Sequence, residues 1–136
     1  MTSPASPRPA IRPVIEGATP SSHASVRRAL DLLHGPPGGI EALANDLASG
    51  LAGGRADVRV DRPYRLLYAT DASIYEMEPV AVVFPRSTAE VQHVVRVAAA
   101  RGVPVLPRGG GTSLAGQGVN HAIVLDMSRH MDGVLE

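Results

Sequence analysis

Apolar residues in the first half of the chain recur with helical spacing. Four of them lie at i, i+3, i+4 and i+7: Val26, Ala29, Leu30 and Leu33. This spacing predicts an amphipathic helix. The same pattern returns at residues 40–51, after a break of glycine and proline at 35–39. Residues 57–60 then alternate polar and apolar side chains, which predicts a short strand that ends before Pro63.

From residue 79 onward the pattern becomes that of strands around one helix. Residues 80–84 are a continuous β-branched and aromatic run, which is typical of a strand covered on both faces. Ser87 and Glu90 have the spacing of a capping box, with Ser87 as N-cap and Glu90 at the third helical position. The helix that follows is predicted to bury one face: Val91, Val94, Val95 and Ala98. Gly102 is the expected residue at its C-terminal end.

Two further strands are predicted at residues 103–106 and 122–125. The resulting order is strand, helix, strand, glycine loop, strand. It predicts an α+β protein with an α/β-like unit, preceded by short helices. In such units the loop that follows a strand lies beside the strand ends, where anionic ligands usually bind.

The stretch with the clearest chemistry follows the second of these strands. It reads Pro107-Arg-Gly-Gly-Gly-Thr-Ser-Leu-Ala-Gly-Gln-Gly. Glycines allow positive φ and close approach of an anion, and successive backbone N–H groups can form a concave nest for phosphate oxygens. Arg108 adds a fork of donors suited to phosphate or carboxylate. The alternative is a flexible surface loop that is rich in glycine for turn formation only.

Two familiar phosphate loops do not match this stretch. Gly111 and Gly116 have the spacing of a P-loop, but Gln117 and Gly118 stand where lysine and a hydroxyl residue are required. The dinucleotide pattern G-x-G-x-x-G fails because Leu114 occupies the place of its third glycine.

Composition narrows the class of protein. The 136 residues fit one domain, and a net charge of zero does not favour nucleic-acid binding. The absence of cysteine excludes disulfides, thiol catalysis and iron–sulfur ligation by this chain. No apolar run approaches the ~18 residues of a transmembrane helix. Residues 1–22 are rich in proline, serine and alanine, so we expect them to be disordered.

Other polar residues have ordinary structural interpretations. The five histidines lack metal-ligand spacing, and His93 is expected to be solvated on the polar side of its helix. Asp71, Ser73 and Asp126 are expected in turns or caps, and residues 66–73 look irregular. Ser113 lacks the closing glycine of a nucleophile elbow. The pair Glu76 and Glu78 is expected at the surface.

Three segments together resemble a known family. They are Pro79-Val-Ala-Val-Val-Phe-Pro-Arg-Ser-Thr-Ala-Glu-Val, Gly102-Val-Pro-Val-Leu-Pro-Arg-Gly-Gly-Gly-Thr-Ser-Leu-Ala-Gly-Gln and Val124-Leu-Asp-Met-Ser-Arg-His-Met. They resemble the FAD-binding domain of vanillyl-alcohol oxidase / p-cresol methylhydroxylase (PCMH-type) flavoproteins, in the branch of glycolate oxidase and D-lactate dehydrogenase. Leu67-Tyr-Ala-Thr-Asp-Ala-Ser-Ile-Tyr and His130 resemble large members that are fused to an iron–sulfur domain.

This resemblance implies that the loop binds the FAD pyrophosphate. The cofactor-binding residues would be Pro107, Arg108, Gly109, Gly110, Gly111, Thr112, Ser113, Leu114 and Gly116. Some relatives attach FAD through a histidine where this chain has Thr112, so a non-covalent flavin is implied. Members of the branch oxidise D-2-hydroxy acids by passing a hydride to the flavin. The resemblance further implies a cytoplasmic location, or peripheral membrane association of full-length relatives.

The resemblance also divides the chain and limits what it can do. Residues 1–22 form the expected disordered N-terminus, 23–78 a helical segment with an irregular linker, and 79–136 the N-terminal part of the FAD domain. Family members continue with the rest of that domain and a substrate domain, so no catalytic residue is assigned here. We therefore expect an oxidoreductase fragment, with two alternatives: a catalytically inactive remnant, or a phosphate-binding subunit completed by a second chain.

Overall fold

The computed structural model describes residues 22–134. Its helices are α1 Ser22–His34, α2 Pro37–Ala48, α3 Arg62–Leu66 and α4 Thr88–Arg101, with a 3-10 helix at Gly54–Asp57. Its strands are β1 Val58–Arg59, β2 Ala81–Val83, β3 Val105–Arg108 and β4 Ile123–Asp126. The prediction of disorder at 1–22 falls outside the described residues, except that Ser22 begins α1. None of the described helices is long and apolar enough to cross a membrane.

The four strands form one mixed sheet in the order β1-β2-β4-β3. β4 lies between β2 and β3 and is parallel to both, and Val124 is paired with Val82 on one side and Leu106 on the other. β1 is antiparallel to β2. The helix α4 joins β2 to β3 and so leaves room for β4 between them. This arrangement confirms the predicted α+β class and the order strand, helix, strand, loop, strand.

One face of the sheet packs against α1, α2 and α4. The helices contribute buried apolar residues at helical spacing: Ala29 from α1, Leu43, Ala44 and Leu47 from α2, and Val94 and Ala98 from α4. The strands contribute alternate residues to the same core: Val58, Ala81, Val83, Ile123 and Leu125. Removal of this apolar surface from water is the main favourable contribution to folding.

The opposite face of the sheet carries a small aromatic cluster. Phe84 lies with Val82 and Val124 under the rings of Tyr64 and Tyr68. Each ring has an arginine guanidinium over it: Arg59 over Tyr64 at 4.2 Å, Arg108 over Tyr68 at 5.4 Å and Arg129 over Phe84 at 4.5 Å. The short helix α3, which the sequence analysis missed, presents Tyr64 to this cluster. Its Pro63 is compatible with a first helical turn because the missing N–H would have no partner there.

The break between α1 and α2 is shorter than the sequence predicts. Pro37, Gly38 and Gly39 form the first turn of α2 rather than part of the break, with Pro36 at the N-cap. Proline favours the first helical position because its φ is already helical and its absent N–H is not missed. Gly102 ends α4 with φ 64°, as predicted.

The buried stripe of α4 differs from the prediction at Val95, which is 47% exposed. The buried residues are Glu90, Val94 and Ala98, with Val91 packed at the edge of the core. Successive helical residues are about 100° apart, so a stripe centred on Val94 turns its neighbour away from the core.

His93 is half-buried, and the prediction that it is solvated was wrong. Its Nε2 lies 3.0 Å from the carbonyl oxygen of Asp46 and 3.2 Å from that of Leu47. These carbonyls belong to the last turn of α2 and have no helical partner further along. A Cβ on Gly50 would lie 2.3 Å from the imidazole ring, so the glycine leaves space for this contact.

The capping box at the start of α4 forms only in part. The Ser87 hydroxyl accepts the Glu90 N–H at 3.3 Å, as predicted. The Glu90 carboxylate does not return to Ser87 but accepts the N–H groups of Arg86 at 2.6 Å and Ala52 at 2.8 Å. This buried side chain therefore joins the start of α4 to the segment that follows α2.

We expect Glu90→Ala to lower the free energy of unfolding by about 1–3 kcal/mol, because the N–H groups of Arg86 and Ala52 would lose their acceptor. Urea denaturation followed by circular dichroism measures this change. Gln92→Ala, on the exposed side of the same helix, is the matched control and is expected to change stability little. Equal stability of the Glu90 and Gln92 variants would contradict the role given to the carboxylate.

Candidate functional site

The candidate site is the glycine loop, residues 109–118, which leaves β3 at the carboxyl edge of the sheet. Because β2, β3 and β4 are parallel, their C-terminal residues reach the same edge, and Arg108 is paired with Asp126 there. The loop therefore lies where the sequence predicted it. It returns to β4 through the buried residues Gly118 and Val119.

The loop encloses a cleft of about 220 Å³. Its lining includes seven of the nine residues proposed from the sequence: Pro107, Arg108, Gly109, Gly110, Gly111, Thr112 and Ser113. The cleft is completed by Gln117 and Gly118, which the sequence analysis left out. Leu114 and Gly116 do not line it. Leu114 is 82% exposed, and Gly116 packs against the ring of Tyr75.

Only two glycines of the loop need their special backbone freedom. Gly111 has φ 68° and Gly116 has φ 80°, a region that residues with a Cβ rarely adopt. A Cβ on Gly111 would also lie 2.4 Å from Nη2 of Arg108. By contrast, a Cβ on Gly110 would only touch the Thr112 methyl group at 3.7 Å.

Most backbone N–H groups of the loop are unused. Within the described part of the chain, no backbone N–H of residues 109–116 donates a hydrogen bond. The next two are engaged, because the Gln117 N–H donates to the Ser113 hydroxyl at 3.2 Å and the Gly118 N–H donates to Asp71 at 3.0 Å. Successive free N–H groups along a curved glycine-rich backbone favour an anion.

The Arg108 guanidinium is turned toward the protein backbone. It donates to the carbonyl oxygens of Tyr68 at 3.1 Å, Thr70 at 2.8 Å and Gly118 at 2.8 Å. Three of its five donors are therefore occupied. The sequence predicted that these donors would bind phosphate or carboxylate. In the structure they instead connect the two ends of the loop to residues 68–70.

The hydroxyl residues of the loop differ from one another. Ser113 donates its hydroxyl proton to the side-chain oxygen of Gln117, so it is engaged within the loop. Thr112 is exposed, and its hydroxyl has no hydrogen bond among the described residues. Thr112 is thus the freer of the two predicted hydroxyl donors.

Asp71 lies against the loop from the neighbouring segment. Its Oδ1 accepts the Ser73 N–H at 2.9 Å and the Ser73 hydroxyl, the turn role that the sequence predicted. Its Oδ2 accepts the Gly118 N–H at 3.0 Å, a contact between residues 47 positions apart that no local pattern indicates. The hydrogen bond from the Ser73 hydroxyl and those from both N–H groups hold the pKa of Asp71 below its usual value.

Asp126, at the end of β4, accepts hydrogen bonds on both oxygens. The Tyr68 hydroxyl donates to Oδ2 at 2.7 Å, and the Ser128 N–H donates to Oδ1 at 2.9 Å, which confirms the predicted turn. Burial alone would raise the pKa of Asp126, but the hydrogen bonds from Ser128 and Tyr68 outweigh it and lower the pKa. Burial, with the nearby carboxylate, raises the pKa of Tyr68.

A second polar cluster lies at the same edge of the sheet. Arg86 donates to both carboxylate oxygens of buried Asp57, at 2.8 and 3.1 Å. These bonds lower the pKa of Asp57. Nε2 of His130 is 4.0 Å from Asp57 and has no hydrogen bond in the described structure. Within residues 22–134, no group of three histidine, aspartate or glutamate side chains is arranged to hold a metal ion.

Glu76 and Glu78 occupy different environments. Glu76 is exposed, in agreement with the surface prediction. Glu78 is partly buried and forms an ion pair with buried Arg65 at 3.1 Å, so it differs from the predicted surface position. Arg65 also donates to the carbonyl oxygens of Val60 and Pro79.

Comparison with known proteins points to flavin binding. Residues 79–136 match the family model of the FAD binding domain. D-2-hydroxyglutarate dehydrogenase of Escherichia coli K12 is 44% identical over 107 residues, covering 74% of this chain and 10% of that protein. Glycolate oxidase subunit GlcD of Bacillus subtilis 168 is 37% identical over 75 residues, covering 53% and 16%. The chain spans about a tenth of the length of the curated dehydrogenases that it matches.

Solved structures support the same fold. The 4-ethylphenol oxidase of Gulosibacter chungangensis aligns with a TM-score of 0.60 and 26% identity, covering 71% of this chain and 19% of that one. p-Cresol methylhydroxylase aligns with a TM-score of 0.60 and 18% identity, covering 74% and 20%. The observed sheet and its helices thus share the fold of part of these two enzymes.

The depressed pKa of Asp126 makes its contribution to stability dependent on pH. A carboxylate whose pKa is lowered in the folded state stabilises the fold above its usual pKa of 3.8, and this contribution is lost as the pH falls through the folded-state value. We therefore expect Asp126→Asn to lower the free energy of unfolding by about 1–3 kcal/mol at neutral pH. The difference from the parent chain should shrink below about pH 4.

Urea titrations of both chains across this range measure the effect. Asp132→Asn is the control, because Asp132 is exposed and makes no hydrogen bond within the described residues. A difference for Asp126→Asn that stays constant with pH would show that the ionised carboxylate is not what stabilises the fold.

Proposed function

We propose that this chain supplies the pyrophosphate-binding part of an FAD-dependent dehydrogenase for a D-2-hydroxy acid, since residues 79–136 match the family model of the FAD binding domain. The observation that carries the proposal is the run of unused backbone N–H groups at residues 109–116. Those of residues 109–113 line an open cleft whose glycines leave room for a ligand at the main chain.

The chemistry of these donors fits a diphosphate. A pyrophosphate presents several anionic oxygens close together, and a row of N–H groups can bind them without a side chain reaching across the loop. The ligands of the cofactor would be the backbone N–H groups of Gly109, Gly110 and Gly111, with the Thr112 hydroxyl beside them. Thr112 has no nucleophilic ring nitrogen, which supports a non-covalent flavin.

The substrate class comes from the relatives. Four D-2-hydroxyglutarate dehydrogenases and a glycolate oxidase subunit match this chain, and both names describe oxidation of a 2-hydroxy acid. The bound flavin would supply the redox chemistry and accept the electrons. This chain's own residues would hold and orient the cofactor, and we assign none of them to catalysis. We place the activity in the cytoplasm, together with an iron–sulfur domain or subunit.

A second candidate is a phosphate-binding subunit that another polypeptide completes. It is favoured by large apolar side chains that are exposed in the loop or beside it: Ile74 at 95%, Leu114 at 82% and Tyr75 at 55%. Exposed apolar groups of this size commonly mark surfaces that another chain covers. Under this alternative, the chain would bind FAD weakly alone and tightly with its partner.

We expect the purified chain to quench flavin fluorescence saturably when it is titrated into FAD. Gly111→Val should abolish the quenching, because valine disfavours φ 68° and its Cβ would displace Arg108. Gly110→Val should also abolish it, here by obstructing the ligand, since its Cβ has space in the protein.

Gly38→Ala is the matched control, because that glycine lies in α2, away from the loop, and its Cβ would meet nothing within 4 Å. Quenching that survives in both loop variants would refute the assignment of the loop. Absence of quenching by the parent chain, restored by a co-purified larger polypeptide, would favour the subunit over the self-sufficient module.

A further inference from the structure

Arg108 joins the two ends of the glycine loop, Arg108 itself and Gly118, which we call the neck. Arg108 is the last residue of β3 and precedes the loop, while Gly118 is the loop's final residue. Nη1 of Arg108 donates to the Gly118 carbonyl at 2.8 Å, so the guanidinium joins the two ends directly. The bonds from the same guanidinium to the Tyr68 and Thr70 carbonyls attach this neck to residues 68–70.

Residues 68–77, which we call the brace, contact the loop at three further points. The Ala72 N–H donates to the Gly111 carbonyl at 3.0 Å, and Asp71 accepts the Gly118 N–H. The ring of Tyr75 lies where a Cβ on Gly116 would be 2.6 Å away. The brace is itself closed by the Met77 N–H, which donates to the Ala69 carbonyl at 2.8 Å, and by a bridge between Thr70 and Glu76.

These contacts separate the loop's groups into two sets. The Gly111 carbonyl oxygen and the ends of the loop are bound to the brace or to Arg108, whereas the N–H groups of residues 109–116 remain unused in the described structure. Among residues 22–134, no other arginine or lysine lines the cleft, and most donors of Arg108 are directed at carbonyls. The Arg108 guanidinium, which carries the positive charge at the loop, thus binds backbone carbonyl oxygens of the protein.

We propose that Arg108 and Asp71 are positioning residues that hold the glycine loop in its binding shape before the ligand arrives, and that the loop binds its anion through main-chain N–H groups rather than through the Arg108 side chain. The proposal rests on the proposed function for the identity of the anion. It goes beyond that function because it assigns Arg108 to holding the shape of the loop rather than to binding the ligand. A loop already in its bound shape loses less conformational entropy on binding.

Backbone dynamics of the full chain without ligand test the proposal. We expect ¹⁵N order parameters of residues 109–118 near the rigid value of about 0.85 in the parent chain, falling below about 0.6 in Arg108→Lys and Asp71→Ala. Lysine keeps the charge but cannot bridge three carbonyls. Asp71→Asn should restore order in part, because its amide oxygen can still accept the Gly118 N–H.

Arg96→Lys is the matched control, because Arg96 is exposed on α4 and should leave the loop unchanged. Circular dichroism and the amide signals of β4 identify any variant that fails to fold. If Asp71→Ala fails to fold, the order parameters of the loop in Asp71→Asn test the role of Asp71 on a folded chain. A parent loop that is mobile without ligand would overturn the proposal. So would an Arg108→Lys loop that stays ordered while affinity for inorganic pyrophosphate falls, because Arg108 would then be a ligand.

Affinity for FAD and for inorganic pyrophosphate is measured on the same samples. An ordered parent loop that loosens in the variants but binds neither compound would uphold the positioning roles and refute the proposed function. If both hold, the loosened variants should bind pyrophosphate at least about tenfold more weakly, a change of about 1.4 kcal/mol in binding free energy.

Discussion

The parallel pairing of β4 with both β2 and β3 is the constraint on which the site depends. It brings the carboxyl ends of three strands to one edge, where Arg108 is paired with Asp126. The glycine loop must then span from the end of β3 back to the start of β4 across that edge. Because both anchor strands are held by ladder hydrogen bonds and a buried core, the ends of the loop are fixed.

Polar side chains at this edge add further contacts that hold the ends of the loop in place. Arg108 and Asp71 use opposite charges to hold the carbonyl and the N–H of the same residue, Gly118. Tyr68 is bonded to the end residues of both β3 and β4, since its carbonyl accepts from Arg108 and its hydroxyl donates to Asp126. The aromatic cluster on the outer face of the sheet is therefore continuous with the polar frame of the loop.

Much of the fold could be predicted because its signals are local. The helices α1 and α2, the N-cap at Ser87, the stop at Gly102 and the glycine loop each follow from neighbouring residues. The missed elements have tertiary causes. The helix α3 is a single turn whose Tyr64 is packed on Phe84, and the imidazole of His93 is held against carbonyl oxygens in the last turn of α2.

The sequence by itself determined the class of fold, the place of the loop and, through its motif, the likeness to FAD-binding domains. Only the tertiary structure decided what each polar side chain of the site does. The sequence indicates a phosphate ligand at Arg108 because a guanidinium beside glycines has that chemistry. Its partners prove to be three carbonyls, two of them about 40 residues away, and contacts at that distance depend on how the chain folds back rather than on any local pattern.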